Sequence, residues 1–142
     1  KNKYPNVKKI ADMTANVGGN TLSFCKHFDF VYSIEIDKQT SEFLENNIKL
    51  YGYKNFKVLN MDSQKFNEKV DFYFYDPPWT GVLYKMNIVM DLYLGSDNII
   101  DIMKPNFCLK APLNYNVKDL INKYNNLSIY KVKNFMIIIN NI

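Results

Sequence analysis

Short apolar runs alternate with longer amphipathic stretches along almost the whole of this 142-residue chain. Runs of β-branched and aromatic residues predict strands, and stretches whose apolar residues recur at helical spacing predict helices. A repeated strand–helix–strand order implies right-handed crossovers, which make the sheet mostly parallel and place helices on both of its faces. The last two strands have no helix between them, which predicts an antiparallel strand at one edge. The expected fold is α/β, in a single domain over residues 1–142.

The bounds of the predicted elements follow from these runs and from the residues that interrupt them. Strands are predicted at residues 7–13, 31–36, 56–59, 70–75, 107–111, 127–132 and 135–139. Helices are predicted at residues 18–28, 41–50, 98–103 and 117–124. The apolar residues expected on the inner face of the second helix are Phe43, Leu44, Ile48 and Leu50.

Composition excludes several classes of protein and of site. A hydrophobic fraction of 47% and a charged fraction of 23% are ordinary for a globular domain and exclude a disordered tail or a disulfide scaffold. One histidine and two isolated cysteines cannot form a zinc set, so we expect no metal. The apolar stretches are too short to span a bilayer, so we expect no membrane partner. Cys25 and Cys108 are expected to be buried thiols in a reducing compartment, which places the protein inside a cell, in the cytoplasm or the nucleus.

The charge of the chain is mildly basic, at +4, and lysine is its only strongly basic residue. This balance is compatible with an anionic partner such as RNA, whose phosphates would meet ammonium groups or backbone N–H groups. The abundance of Asn, Lys, Ile and Tyr indicates an AT-rich genome, and a viral or AT-rich unicellular origin is expected. Because an AT-rich genome by itself favours lysine codons, the lysine excess is weaker evidence for an anionic partner.

The loops at the carboxyl ends of the strands are where a parallel sheet binds ligands. The first of these loops, residues 12–21, is a glycine-containing turn that opens a helix. Glycines let a ligand approach the backbone, and the N–H groups of a helix N-terminus hold a phosphate or an amino-acid carboxylate. A Gly-Gly pair alone is equally typical of a plain strand-to-helix turn. The candidate cofactor-binding residues of this loop are Asp12, Asn16, Gly18, Gly19 and Thr21.

Acidic residues follow the second and third predicted strands. Glu35 and Asp37 end the second strand, about 20 residues beyond the glycine turn, where a carboxylate accepts hydrogen bonds from ribose hydroxyls. Asp62 and Ser63 follow the third strand, where a carboxylate can accept a hydrogen bond from an adenine amino group. The loop lacks G-x-G-x-x-G, which favours a nucleoside without phosphates over a dinucleotide. An acidic strand end alone is more often a solvated cap.

The fourth strand ends in the sharpest motif of the chain, Asp76-Pro77-Pro78-Trp79. The two prolines fix the backbone and remove two N–H donors, which holds Asp76 at the strand tip and turns Trp79 outward. A carboxylate, a rigid carbonyl and an indole face can together grip a planar base that bears an exocyclic NH2 group. Stacking of a base on such a ring is worth about 1–3 kcal/mol. The alternative is a structural Pro-Pro turn with a buried tryptophan.

With these motifs the chain resembles the class I S-adenosylmethionine-dependent methyltransferases, and among them the trimethylguanosine synthases, which are RNA cap guanine-N2 methyltransferases. The likeness rests on V-G-G-N-T at residues 17–21, E-I-D at 35–37 and P-P-W at 77–79, and it weakens after Gly81. It implies the Rossmann-like class I methyltransferase fold. Asn16 stands where that family usually has glycine, and Asp76 where it usually has serine. The family's N-terminal extension, which helps to hold the methylated cap, is expected to be absent.

The resemblance implies that S-adenosylmethionine is the cofactor and that RNA or capped RNA, with a 7-methylguanosine cap, is the partner. The methionine part of the cofactor is expected at the first loop, its ribose at Glu35 with Asp37 as the second choice, and its adenine at Asp62. The base is expected to stack on Trp79. The residues expected to act on the base amine or hold the substrate are Asp76, Pro77, Trp79, Tyr84 and Lys85, with Lys110 as a further phosphate contact.

Two other readings of the same residues stay open. Asp76 is the residue found in adenine-N6 and ribosomal guanine-N2 methylases, so the alternative substrate is a base of DNA or of ribosomal RNA. Asn16 and the short length are compatible with a catalytically silent methyltransferase-like scaffold domain. The oligomeric state does not follow from the sequence.

Overall fold

A computed structural model describes residues 4–79, 81–86 and 89–140, without the side chains of residues 82–84. The contacts within the chain divide it into two compact units, Lys1–Phe74 and Tyr75–Ile142. The two units differ in architecture. Parallel strands dominate the first, and antiparallel strands dominate the second.

The first unit is a parallel sheet with helices in the connections between its strands. Its strand order is β3-β2-β1-β4, and the pairs β1–β2, β1–β4 and β2–β3 are all parallel. Because Asp12 aligns with Ser33 and Glu35 aligns with Asn60, the loops that follow these strands leave from one edge of the sheet. The elements in chain order are β1 (Lys9–Asp12), α1 (Gly19–His27), β2 (Phe30–Glu35), α2 (Lys38–Leu50), β3 (Phe56–Asn60) and β4 (Phe72–Tyr75).

The inner face of α2 differs from the one predicted. Leu44 and Ile48 are fully buried, but Phe43 is 53% exposed and Leu50 76% exposed. The buried positions on this helix, Ser41, Leu44 and Ile48, recur at helical spacing and define a narrow stripe. Hydrophobicity alone therefore placed two residues of this helix on the wrong face.

The second unit is built around an antiparallel group of three strands in the order β7-β9-β8. Lys133, with φ of 37°, lies in the tight turn between β8 and β9. A two-stranded hairpin, β5–β6, was not predicted, because strands of two residues are too short to show a periodic pattern. The elements in chain order are a 3-10 helix (Gly81–Met86), β5 (Tyr93–Leu94), β6 (Asp97–Asn98), α3 (Ile99–Ile102), β7 (Phe107–Pro112), α4 (Val117–Lys123), β8 (Leu127–Val132) and β9 (Phe135–Asn140).

The predicted α/β architecture is confirmed, because the first unit is a parallel sheet with helices between its strands and the second unit contains an antiparallel group of strands. β9 runs antiparallel to both of its neighbours, as the two closing strands without a helix between them predicted. The helix forecast at residues 98–103 is a single turn, Ile99–Ile102. None of the helices in the described ranges is long and apolar enough to cross a membrane.

Both cysteines are free thiols. Cys25 is buried, and burial raises its pKa to about 11. Burial raises the pKa of Cys108 to about 12, with a smaller contribution from the negative charge of Asp76. Both side chains are therefore protonated near neutral pH and behave as small apolar residues.

Candidate active site

Three buried polar side chains form a hydrogen-bonded group at the start of the first loop. Asp12, at the end of β1, is fully buried, and its Oδ2 accepts a hydrogen bond of 2.8 Å from the Thr21 hydroxyl. That hydroxyl also lies 3.1 Å from the hydroxyl of Ser33 on β2. A buried carboxylate is stabilised by such hydrogen bonds, so the group ties together β1, α1 and β2. The side chain of Thr21 therefore points into the first unit, and only its backbone belongs to the helix N-terminus.

Two left-handed residues shape the turn between β1 and α1. Gly18 has φ of 100°, and a Cβ placed there would lie 2.8 Å from Cδ1 of Leu44. Asn16 has φ of 48°, a conformation that Asn tolerates better than most residues, so the turn forms without a glycine at this position. No side chain caps α1. The helix thus begins at a glycine that has no capping side chain, and the N–H groups of such a helix N-terminus can hold an anion.

The Glu35 carboxylate connects the first and second loops. Its Oε2 accepts a hydrogen bond of 3.0 Å from the amide of Asn16, and its Oε1 accepts one of 2.9 Å from the amide of Asp37. A carboxylate offers about four acceptor positions, so these two bonds leave capacity for hydroxyl donors. We call this arrangement, Glu35 with the amides of Asn16 and Asp37, the Glu35 clamp.

The acidic residues after β2 and β3 cap helical turns. Asp37 is exposed and caps α2, because its Oδ1 accepts a 2.7 Å hydrogen bond from the amide of Thr40. That hydrogen bond holds the pKa of the Asp37 carboxyl below its usual value. The cap also explains why α2 begins at Lys38, three residues earlier than predicted. Asp62 caps the short 3-10 helix Ser63–Lys65 and accepts a 3.0 Å hydrogen bond from Gln64.

Asn60 anchors the third loop to the second. Its side-chain amide donates to the carbonyl oxygens of Glu35 and Ile36, at 3.0 and 2.9 Å. The amide of Met61 donates to the same Glu35 carbonyl at 3.1 Å. The three loops of the first unit thus meet at Glu35. Neither Asn60 nor Ser33 was singled out from the sequence, although a lone serine inside an apolar strand is an available signal.

The proline-rich tip after β4 lies in the second unit. Pro77 is buried, and the side chain of Asp76 is only 19% exposed. Asp76 Oδ2 accepts a 2.7 Å hydrogen bond from the ammonium of Lys110, on β7. That ammonium lies 5.5 Å from the centroid of the half-buried Trp79 ring and 5.4 Å from that of Phe135. We call Asp76, Trp79, Lys110 and Phe135 the ammonium cluster.

The structure places three of the residues expected to hold substrate, Tyr84, Lys85 and Lys110, in different situations. Lys85 is exposed in the 3-10 helix, and the Tyr84 side chain falls outside the described residues. Lys110 was expected at an RNA phosphate, but the structure pairs its ammonium with Asp76. Within the ranges that the structure describes, no group of three His, Cys, Asp or Glu side chains is placed to hold a metal ion.

Sequence comparison finds two informative relatives and one family model. The model described as RNA cap guanine-N2 methyltransferase matches residues 7–104. The trimethylguanosine synthase of Saccharomyces cerevisiae is 30% identical over 132 residues, which cover 82% of this chain and 42% of that protein. The uncharacterized protein L320 of Acanthamoeba polyphaga mimivirus is 38% identical over 119 residues, which cover 75% of this chain and 46% of that protein. The chain thus spans less than half the length of these curated relatives.

Structural comparison supports the same fold. The 16S rRNA N2 G1207 methyltransferase of T. thermophilus, solved in complex with AdoMet and guanosine, superposes with a TM-score of 0.71. The match covers 93% of this chain and 37% of that one, at 18% sequence identity. At that identity the likeness speaks for the fold, and it confirms the predicted Rossmann-like class I architecture.

Proposed function

Because the chain belongs to the RNA cap guanine-N2 methyltransferase family, we propose that it transfers a methyl group from S-adenosylmethionine to the exocyclic N2 amine of guanine in RNA. The observation that carries this proposal is the tip after β4. There a half-buried carboxylate, Asp76, and an indole, Trp79, flank two prolines, as recognition of a planar base with an NH2 group requires.

The first unit supplies the cofactor-binding residues in this proposal. The amide groups at the start of α1, from Gly18 and Gly19 onward, hold the methionine carboxylate. The Glu35 clamp accepts hydrogen bonds from the ribose hydroxyls, and Asp62 accepts one from the adenine amino group. S-adenosylmethionine supplies an electrophilic methyl group on its sulfonium. No residue of the chain needs to act as a nucleophile.

The second unit supplies the base-binding residues. The base stacks on Trp79, and its NH2 group donates to the Asp76 carboxylate and the Pro77 carbonyl. An exocyclic amine is a poor nucleophile because its lone pair is conjugated with the ring. Acceptors on its two protons orient that lone pair for in-line displacement, and good orientation supplies about 7–11 kcal/mol in favourable cases. After methyl transfer, the nitrogen loses the proton that is hydrogen-bonded to Asp76.

The proposed substrate is the guanine of a 7-methylguanosine RNA cap, since the matching family model is named for RNA cap guanine-N2 methyltransferases and the yeast relative is named a trimethylguanosine synthase. The fold shared with a 16S rRNA N2 methyltransferase supports a second candidate, an unmethylated guanine inside an RNA chain. Both candidates use the same N2 amine and the same residues. They differ in the charge of the base, because a cap guanine methylated at N7 is cationic.

The test is methyl transfer from labelled S-adenosylmethionine to four matched acceptors: a 7-methylguanosine cap analogue, a guanine-containing RNA, the same RNA with inosine for guanine, and an adenine-containing RNA without guanine. Inosine lacks only the N2 amine. We expect label on the cap analogue or the guanine RNA and none on the inosine RNA. Equal labelling of the inosine RNA, or labelling of adenine alone, would overturn the guanine-N2 assignment. Cofactor binding without any transfer would identify a silent domain.

A further inference from the structure

We infer that Lys110 is a positioning residue of the base-binding motif, a role that rests on the proposed function. Its ammonium fixes the Asp76 carboxylate and the Trp79 ring in a single arrangement, so that a base stacked on the ring finds its amine acceptor already in place. The inference concerns one lysine on β7, 34 residues beyond Asp76 in the chain.

The contacts of the ammonium carry the first step. Lys110 Nζ lies 2.7 Å from Asp76 Oδ2, a distance typical of a strong charge-assisted hydrogen bond. The side chains are only 28% and 19% exposed, so water screens the pair less than it screens a surface ion pair. The same ammonium lies within cation–π range of two rings, Trp79 at 5.5 Å and Phe135 at 5.4 Å.

The backbone that carries Lys110 belongs to a paired and buried strand. Residue 110 lies in the middle of β7 and aligns with Ile137 on β9, and its neighbours Leu109 and Ala111 are fully buried. Phe135 is the first residue of β9, so both the lysine and its second ring belong to one antiparallel ladder. The ladder thus holds the backbone from which the Lys110 side chain reaches Asp76 and Trp79.

Loss of the Lys110 ammonium should slow catalysis, because the rate of group transfer depends strongly on the alignment of the reacting groups. Without the ammonium, the Asp76 carboxylate loses a charge-assisted hydrogen bond, and the Trp79 indole loses the cation near its ring. A displacement of about 1 Å at a group that orients a substrate lowers a rate by about 100-fold. We therefore expect Lys110→Met to lower kcat by about 10- to 100-fold. Cofactor affinity should stay within about twofold, because the cofactor-binding residues lie in the first unit.

The experiment compares Lys110→Met, Lys110→Arg and a matched control, Lys131→Met, an exposed lysine on β8. The readouts are kcat and KM for the acceptor RNA, the Kd of S-adenosylmethionine, the thermal midpoint, and the emission of Trp79, the sole tryptophan of the chain. We expect a loss of kcat and an altered emission in Lys110→Met, recovery of most of kcat in Lys110→Arg, and no change in Lys131→Met. Where Lys110→Met fails to fold, Lys110→Gln, which keeps a hydrogen-bond donor without the charge, carries the same expectations.

Three results would overturn the inference: an unchanged kcat in Lys110→Met, an Arg variant as slow as the Met variant, or an emission that does not respond to Lys110. The proposed function fails separately, if the wild-type protein methylates no guanine substrate. In that case Trp79 emission still decides whether Lys110 holds the ring, since it needs no turnover.

Discussion

The Glu35 clamp and the ammonium cluster hold their carboxylates in opposite ways. Glu35 is held by two backbone amides, those of Asn16 and Asp37, whereas Asp76 is held by the side chain of Lys110. A backbone N–H is present in every residue except proline, but an ammonium is lost with a single substitution of lysine. The comparison teaches that the Glu35 clamp tolerates substitution of the residues that donate to Glu35, whereas the arrangement at Asp76 depends on the identity of Lys110.

The largest effect should come from the side-chain-held carboxylate. Asp76→Ala removes the proposed acceptor of the base amine and should lower kcat by at least about 100-fold, through loss of alignment. The Kd of S-adenosylmethionine should stay within about twofold, as measured by calorimetric titration. Asp76→Asn, which keeps the shape of the side chain, serves as the control for packing. Full activity in both variants would show that the proline-rich tip is structural.

The reciprocal experiment removes the backbone-held carboxylate. Glu35→Ala should weaken S-adenosylmethionine binding by about 10- to 100-fold, because hydrogen bonds to a charged acceptor contribute about 1.5–3 kcal/mol. The control is Asp37→Asn, whose side chain belongs to the cap of α2 and whose backbone amide is unchanged. If the cofactor affinity falls more in Asp37→Asn than in Glu35→Ala, the assignment of the ribose to Glu35 is wrong.

A third experiment tests the turn that the clamp spans. Gly18→Ala should lower the free energy of unfolding by about 1–3 kcal/mol, because alanine is strained at φ of 100° and its Cβ would crowd Leu44. Gly19→Ala is the matched control, since nothing lies within 4 Å of a Cβ at that position. Denaturant unfolding of both variants measures the difference. Equal stability of the two would contradict the left-handed geometry of Gly18.

The smallest effect concerns a third carboxylate, exposed and again held by backbone amides. Asp71 accepts two 2.8 Å hydrogen bonds, from the amides of Lys8 and Lys9, and these hold its pKa below the usual value, chiefly through Lys9. A lowered folded-state pKa contributes stability above the unfolded-state pKa, and that stability is lost as the pH falls through the folded-state pKa.

Asp71→Asn should therefore cost about 1 kcal/mol at pH 7, a value reduced for exposure to solvent, and almost nothing in strong acid. Urea unfolding at several pH values measures the difference between the variant and the wild type. A difference that stays constant across the acid range would mean that the charge of Asp71 is irrelevant.

The parallel part of the fold was predictable because its strands and helices carry strong local signals. The aromatic and β-branched residues of β2 and the glycine turn before α1 each mark an element by composition alone. The start of α2 was missed because Asp37 was read only as a ligand candidate, although Asp is a common N-cap residue. The exposure of Phe43 depends on tertiary packing, which periodicity over one helix does not determine.

The candidate site likewise contains residues that the sequence indicated and contacts that it did not. Glu35 and Asp62, at the end of a strand or just after one, could be proposed as ligands because parallel topology brings such ends to one edge of a sheet. The pairing of Asp76 with Lys110 joins residues 34 positions apart, and no local pattern in a single sequence indicates it. The Glu35 clamp could not be predicted from the sequence either, because its donors are backbone N–H groups, which are not specific to a residue type.

The left-handed Asn16 has a consequence for how related chains are recognised. The turn constrains a dihedral angle, φ of 48° at this position, and the clamp contacts only the amide there. Glycine and asparagine at this position can therefore give the same backbone conformation and the same amide contact, although they give different sequence motifs. Searches that demand glycine at this position will pass over such chains, and searches that accept any residue tolerant of the left-handed region will retrieve them.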